Sequence, residues 1–470
     1  MSGQTDDRSA RRGSIIWPAA VIVVTVFGLS LYANLPVLMD PPIDFSYFPP
    51  FDRSNRLDTR HLGAEYNAIA KSLVAGRGFA DPFRARTGPT AWMPPMFSWL
   101  LAALWWDADG DITYVQTAVI ILEDLTLIAT GILIVVLSRR TTGGVWLATA
   151  AFVGALCYYF RHSFQFMHDH WVVLGALNVL IAGLVFVRPL EKSWRVAAGW
   201  GVVGGLLALT SPAVGFIWGL FALASLRVKP GGSRPAVPVA VLVAGLTVSP
   251  WVIRNYHVFG RVIPVKSNLA YEFYQSQCLQ ESGVLHEGIW QTHPNHGGNA
   301  SFREYAQLGE MAFMDRTWER FRDSFRANPS DFFSRVSNRF QEATLVYAPF
   351  DPREEYRRPW MTWYARLVYP LPFVCIIGLA VTALWRPLCR EQWIVIGVYL
   401  AYVMPYVVIS YYERYKFPVM GMEAILLVWG IHRFLNLGTK QSASEPERLQ
   451  GSISAAGASV PIVEPEVIVQ

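Results

Sequence analysis

Charge is scarce in this chain. Asp, Glu, Lys and Arg together make 16% of its 470 residues, against 53% hydrophobic. Apolar blocks of roughly 17 to 25 residues recur, the length that a bilayer core demands. Cysteine is also rare: Cys157 and Cys375 lie inside apolar blocks, Cys389 in a basic loop, and Cys278 alone in the long hydrophilic loop. No pair is placed for a bridge, so disulfides do not hold the fold. A basic stripe with interleaved aromatics, the footprint of a nucleic-acid partner, is missing from the hydrophilic segments. The net charge of +5 instead reflects Lys and Arg clustered in short connections between apolar blocks, a membrane-topology signal.

These features predict an all-α polytopic membrane protein with about ten transmembrane helices and additional outer juxtamembrane helices. The runs are Ile15–Leu38, Ile112–Leu137, Val145–Phe160, Trp171–Val187, Val196–Leu209, Ala213–Leu226, Val237–Ile253, Leu367–Trp385, Trp393–Ser410 and Val419–Gly430. The first follows Arg8, Arg11 and Arg12 and is longer than a cleaved signal's apolar region, so it reads as a retained anchor. Residues 1–14 are then cytoplasmic. An N-terminal membrane module covers 15–253, with its first outer loop at 39–111; a large, mostly helical outer loop covers 254–362. A second membrane module covers 363–436, and the tail 437–470, rich in Ser, Ala, Pro and Glu and without periodicity, reads as cytoplasmic and disordered.

The stretch His61–Trp106 organises the rest. Ile69, Ala70, Leu73 and Val74 recur at helical spacing, and Gly76 and Gly78 end that helix. Trp92-Met93-Pro94-Pro95 opens an apolar run to Trp106 in which Pro94 or Pro95 can take a first-turn position. If that run crossed the membrane, the acidic Asp107–Asp111 connection would be cytoplasmic and Arg139-Arg140 outside, against the charge rule. Kept on the outer side as an interfacial helix, it brings every later loop into agreement. In the large loop, helical spacing runs over Phe302–Arg326 and Phe332–Ala348, with Ser330 or Asp331 as the cap between them.

Polar residues of the outer loops fall into four groups. Asp44, Asp58, His61, Glu65 and Asp81 lie in the first; Arg161, His162, His168, Asp169 and His170 in the second; Arg254, Asn255, Tyr256 and Arg261 begin the third; Glu413, Arg414, Tyr415 and Lys416 form the last. An acid opposed to several cations at a membrane surface suits transfer from a lipid-linked phosphate, with a base for the acceptor and positive charge for the leaving group. Other readings stand beside this one. Glu65 can be a solvated acid, Asp169 a helix cap, and Arg254 and Arg414 snorkelling interfacial residues. His168 and His170 invite a metal reading, though adjacent helical residues diverge and a further ligand must come from another loop. His293 and His296 read as surface-loop residues. Glu123 and Asp124 sit well inside a run, where an acid is costly unless neutral, paired or facing a cavity.

Several short motifs occur in order: Glu65 beside a Tyr-x-x-x-Ala helix, Gly-x-Gly-Phe at 76–79, Pro-Thr-Ala-Trp-x-Pro-Pro at 89–95, Leu-Thr-Ser-Pro at 209–212, Pro-Trp-Val-Ile-Arg-Asn-Tyr-x-x-Phe-Gly at 250–260 and Glu-Arg-Tyr-Lys-Phe-Pro at 413–418. From about Ile15 to Asn436 the chain resembles bacterial membrane glycosyltransferases of the GT-C superfamily, in the protein O-mannosyltransferase and aminoarabinose-transferase group. That resemblance implies an inverting transfer of a sugar from a polyprenyl-phosphate donor to a lipid, glycan or protein acceptor. It places the enzyme in the bacterial inner membrane with its active site on the periplasmic side. It assigns catalysis to Glu65 and Asp169, with Asp58 and Asp44 as alternatives, because Leu62 and Gly63 stand where relatives carry an acid pair. Arg254, Arg414 and Lys416 would hold the donor phosphate, supported by Tyr66, Trp92, Tyr256 and Tyr415. Membrane lipids are implied partners; the resemblance fixes no cofactor, and a divalent cation stays open. Two readings compete: a transporter with broken helices around a midplane site, and a non-catalytic envelope-assembly scaffold. Against the transporter, no repeat relates the two halves.

Overall fold

The computed structural model describes residues 14–39, 62–83, 85–226, 236–296 and 298–435. Among these the chain is helical, with only the isolated bridges Ala80–Pro89 and Val284–Tyr411 in extended pairing. Seven helices are long and apolar enough to cross a membrane: Ile16–Leu35, Ile112–Thr141, His170–Glu191, Ala236–Phe259, Pro359–Thr382, Arg390–Val408 and Glu413–Leu435. This is a multi-pass, all-helical membrane protein. The remaining expected runs form shorter apolar helices, Val145–Tyr158, Trp194–Thr210 and Pro212–Ser225. The last two are cut apart where Ser211 takes an extended conformation before Pro212, because proline's ring disfavours a helical residue ahead of it.

Small residues let these helices approach closely. A Cβ on Gly201 would sit 2.4 Å from the Ala240 carbonyl oxygen, and one on Gly205 2.5 Å from Thr247 Cβ. Lipid tails are as apolar as leucine, so such backbone contact, with the van der Waals packing it allows, is what holds helices together in a bilayer.

The two ends of the bundle are tied by different contacts. At one end Arg140 lies over the Phe186 ring, Trp429 donates to Thr141 at 2.7 Å, Arg390 pairs with Glu191 at 2.9 Å, and Arg433 reaches the Thr382 carbonyl at 3.0 Å. At the other end the long connections meet. Arg339, fully buried, donates to the carbonyls of Val407 at 2.7 Å and Val408 at 2.9 Å. Leu285 donates its backbone N–H to Tyr411 at 3.0 Å, and Ser276 bonds the Ile409 carbonyl at 2.6 Å.

Pro95–Asp107 is a helix of 13 residues, with Pro95 inside its first turn and Pro94 as its cap. Its rise, about 20 Å, is short of a bilayer core, and it packs Phe97, Leu101 and Trp105 against Tyr66. The large loop folds into Ala300–Leu308, Glu310–Ala327 and Pro329–Thr344. Two details correct the sequence reading. The expected continuous helix Phe302–Arg326 breaks at Gly309, whose φ of 75° is left-handed. The next helix starts at Pro329 with Asn328 as its cap, so Ser330 and Asp331 lie inside the first turn, since proline at that position forfeits no hydrogen bond.

Candidate active site

The site is built on the Ala64–Val74 helix. Leu62 and Gly63 enter it with φ of 60° and 64°, a turn that is strained at the leucine. A Cβ on Gly63 would lie 3.1 Å from the Tyr66 ring, and its φ of 64° suits glycine. The helix is buried on several sides: Ile69 packs with Phe79, Leu209 and Trp251, and Tyr66 with Phe97, Met167 and Trp171. Glu65, in the first turn, is 4% exposed. Burial pushes its carboxyl up to about 7, the Asp169 charge adds to the rise, and its own backbone, the Arg414 charge and Asn295 oppose it. The solvated-acid reading of Glu65 therefore fails.

Asp169 stands at the N-terminus of the His170–Ala182 helix but makes no capping bond. Its carboxylate instead accepts the Tyr66 hydroxyl at 2.8 Å and is bonded to His168 Nδ1. Burial alone would raise Asp169, but His168, Arg414 and the Tyr66 hydroxyl outweigh it and hold the carboxyl well below the usual range. His168 is itself lowered to about 4 by burial and by Arg414. The pair is thus an ionised carboxylate facing a neutral imidazole, whose Nδ1 also accepts from the Asp169 backbone N–H at 2.9 Å.

Arg414 is the positive charge shared by these groups. It acts on Glu65, Asp169, His168 and His293, and its guanidinium lies over the rings of Phe166, Tyr412 and Tyr415 at 5.6, 5.1 and 5.7 Å. Phe166 in turn stacks on His168 at 5.7 Å with an interplanar angle of 9°.

The large loop closes the site with residues that the sequence did not single out. His293, expected on the surface, is buried among Trp92, Tyr271 and Trp290, and burial with the Arg414 charge lowers it to about 3. The Asn295 amide faces the Glu65 carboxyl closely enough to draw its pKa down, without completing a bond of good geometry. Glu310, 5% exposed, accepts from Ala91 N–H at 2.8 Å, Ser267 at 2.7 Å, Tyr305 at 2.8 Å and the Thr90 hydroxyl. It ties the Thr90–Trp92 segment to the helices of the large loop.

Other expected residues lie apart. Arg254 donates to the carbonyls of Thr90 and Phe79, each at 2.7 Å, and to Asn255 at 2.9 Å. It clamps the first loop. Lys416 is 2% exposed and paired with Glu423 at 3.3 Å, while Glu423 also accepts from Tyr159 at 2.8 Å. Trp92 is buried with Phe83, Tyr271, Tyr305 and Phe313. Tyr415 stacks on Tyr406 at 4.4 Å, and Tyr256 is 56% exposed. Asp81 braces its own turn, accepting from Thr87 and Gly88 backbone N–H at 3.0 Å. Asp44, Asp58 and His61 lie outside the described residues.

His168 turns to Asp169, whereas His170 Nε2 lies 2.7 Å from the His162 carbonyl and 3.7 Å from Glu123. Among the described residues no group of three or more His, Cys, Asp or Glu is arranged to hold a metal ion. Glu123 is thus beside His170, and the neighbouring Asp124 is 4% exposed.

No family model and no curated protein sequence matches the chain. Among solved structures it is similar to the archaeal oligosaccharyltransferase AglB from Archaeoglobus fulgidus, in complex with an inhibitory peptide and a dolichol-phosphate, with a TM-score of 0.43 and 13% identity. The match covers 95% of this chain and 53% of that one, so this chain spans about half the length of the solved protein.

Proposed function

We propose that this protein is a membrane glycosyltransferase that moves a sugar from a polyprenyl-phosphate donor to an acceptor at the non-cytoplasmic face. The observation that carries the reading is Glu65, an acid buried at the loop end of a multi-pass bundle, brought to about 7 and held opposite Arg414. A general base works best with a pKa near the working pH. Arg414 supplies the positive charge that a leaving phosphate requires. The motif residues Trp92, Leu209, Trp251, Arg254 and Arg414 gather at this same end, which supports the resemblance drawn from their order.

In this mechanism the acceptor attacks the anomeric carbon from the face opposite the phosphate. A new bond to carbon forms, the carbon–oxygen bond to phosphate breaks with its electron pair, and the acceptor's proton passes to Glu65. Asp169, fastened by Tyr66 and His168, stays ionised. It raises Glu65 and positions it, and is not itself the base. Arg254 holds the loop, and Arg414 is the cation for the phosphate. Basic clusters at the opposite end support a cytoplasmic location for that end.

The test is an assay of purified full-length protein with polyprenyl-phosphate sugars, scored for donor consumption and sugar transfer. Donor-dependent release that Arg414→Ala and Glu65→Gln each reduce supports the proposal. A wild-type protein that consumes none of a panel of such donors sinks it.

A further inference from the structure

Lys416 is buried, with 2% exposure, in a membrane bundle where a charge is costly unless it is paired. Its Nζ lies 3.3 Å from the Glu423 carboxylate, donates to the Tyr369 carbonyl at 3.2 Å and sits over the Tyr369 ring. Glu423 is itself fixed, accepting the hydroxyl of Tyr159 at 2.8 Å and that of Tyr399 at 3.3 Å. Residues from well-separated stretches of the chain thus meet at one ammonium.

Lys416 belongs to the short 3₁₀ segment Glu413–Val419, two positions after Arg414. With about three residues per turn and a rise of about 2 Å, residues two apart point about 120° away from each other. One side chain can therefore enter the bundle while the other lies among Phe166, Tyr412 and Tyr415. Phe417, fully buried, adds edge contacts to His170 at 4.6 Å and Tyr159 at 5.8 Å. The backbone of such a segment specifies itself weakly, because 3₁₀ bonds have poor geometry and Pro418 donates none. A buried ion pair adds little net stability, since desolvation offsets the attraction, and apolar replacement of both partners is often neutral. Its use here lies in setting a register.

Resting on the glycosyltransferase reading, in which Arg414 faces the donor phosphate, we propose that Lys416 and Glu423 are positioning residues whose buried pair fixes the register of Glu413–Val419 and, through it, the place of the Arg414 guanidinium. Lys416 is an internal anchor and does not touch the phosphate. Arg414 alone presents its charge to the donor from this segment.

The experiment titrates purified full-length protein with polyprenyl phosphate and records melting in parallel. Lys416→Met combined with Glu423→Gln removes both charges with little change of shape and is expected to melt close to wild type. Affinity for polyprenyl phosphate is expected to fall roughly tenfold or more, the cost of a misplaced binding group. In an Arg414→Ala background the same two substitutions should lower affinity no further, because residues that act through one group are not additive. Lys416→Arg, which keeps a buried cation, should recover part of the loss. Glu423→Gln alone separates an anchor from a phosphate ligand, and decides even where the double variant does not fold: affinity falls if Lys416 is an anchor, and holds or rises if the released ammonium meets the phosphate. Wild-type or tighter binding in Glu423→Gln, wild-type affinity in the double variant, or an additive loss in the Arg414→Ala background each overturns the anchor while the donor site at Arg414 stands. If Arg414→Ala binds polyprenyl phosphate as well as wild type, or wild type does not bind it, the phosphate site itself is lost and this inference with it.

Discussion

The Tyr66 hydroxyl donates to the Asp169 carboxylate at 2.8 Å, joining residues 103 positions apart in sequence. One comes from the short helix after the first membrane helix and the other from the loop ahead of the His170–Ala182 helix. Burial is the main cause that raises Glu65, and the charge of the Asp169 carboxylate held by this bond adds to it. Replacing Tyr66 by Phe preserves the ring against Phe97 and His168 and removes one donor from a buried carboxylate. Losing a bond to a charged group costs about 1.5 to 3 kcal/mol. Tyr66→Phe should therefore melt earlier in detergent, and its turnover should fall more than its donor affinity. Unchanged melting together with wild-type turnover would show that the bond organises nothing.

The two arginines of the membrane surface should separate cleanly. Arg254 reaches two backbone carbonyls with one planar fork, a geometry that lysine cannot reproduce. Arg254→Ala and Arg254→Lys should both lose thermal stability and loosen the Phe79–Thr90 loop to protease. Arg414→Ala should instead keep its melting temperature nearer to wild type and lose donor affinity, read by titration with a polyprenyl-phosphate sugar. The opposite pattern, with stable Arg254 variants that fail to bind donor, would move the phosphate site to Arg254.

Sidedness has its own measurement. Asp109 is exposed in the turn between the Pro95–Asp107 and Ile112–Thr141 helices. A cysteine placed there should react with an impermeant thiol reagent from outside intact cells. Cys157, Cys278 and Cys389 are exposed, so the background must lack them. Labelling only after permeabilisation would turn the protein over in the membrane and put Glu65 on the cytoplasmic side.

The positions of the apolar helices were legible in the sequence because hydropathy and length are local properties. Glu65 and Asp169 stood out in the sequence as acids in the connections between such helices. Arg254 and Arg414 look alike in sequence, each within two residues of a Tyr near the end of an apolar run. What distinguishes them is where the guanidinium ends, on the Phe79 and Thr90 carbonyls or among Phe166, Tyr412 and Tyr415, and that is fixed by packing between distant segments. His293, Asn295 and Glu310 belong to a polar loop whose burial depends on docking against Trp92 and Thr90, so no local pattern marked them. Lys416 had one available signal, the acid Glu423 inside the following apolar helix, which an intramembrane cation can neutralise.

Glu65 links activity to stability in opposite directions. Burial pushes the carboxyl up to about 7 in the folded protein, against an ordinary value of 4.5. As a base it must be ionised, so turnover should rise with pH up to about 7 and then level, falling about tenfold per unit below that. For stability the sign reverses. Between 4.5 and 7 the unfolded chain has lost the proton while the folded one still holds it, so the raised pKa favours folding below 4.5. That advantage is lost as pH rises to 7, leaving a penalty on the order of 3 kcal/mol for the buried charge. Gln keeps the shape and removes the titration. Glu65→Gln should slow turnover about a hundred- to ten-thousandfold with little change in donor affinity, yet melt later than wild type above pH 7 and lose the pH dependence of melting between 4.5 and 7. Asp58→Asn is the control from the same loop. If Asp58→Asn abolishes transfer while Glu65→Gln retains most of it, the base lies ahead of the helix. If Glu65→Gln instead melts earlier at every pH, the carboxylate is part of the scaffold and the catalytic assignment is lost.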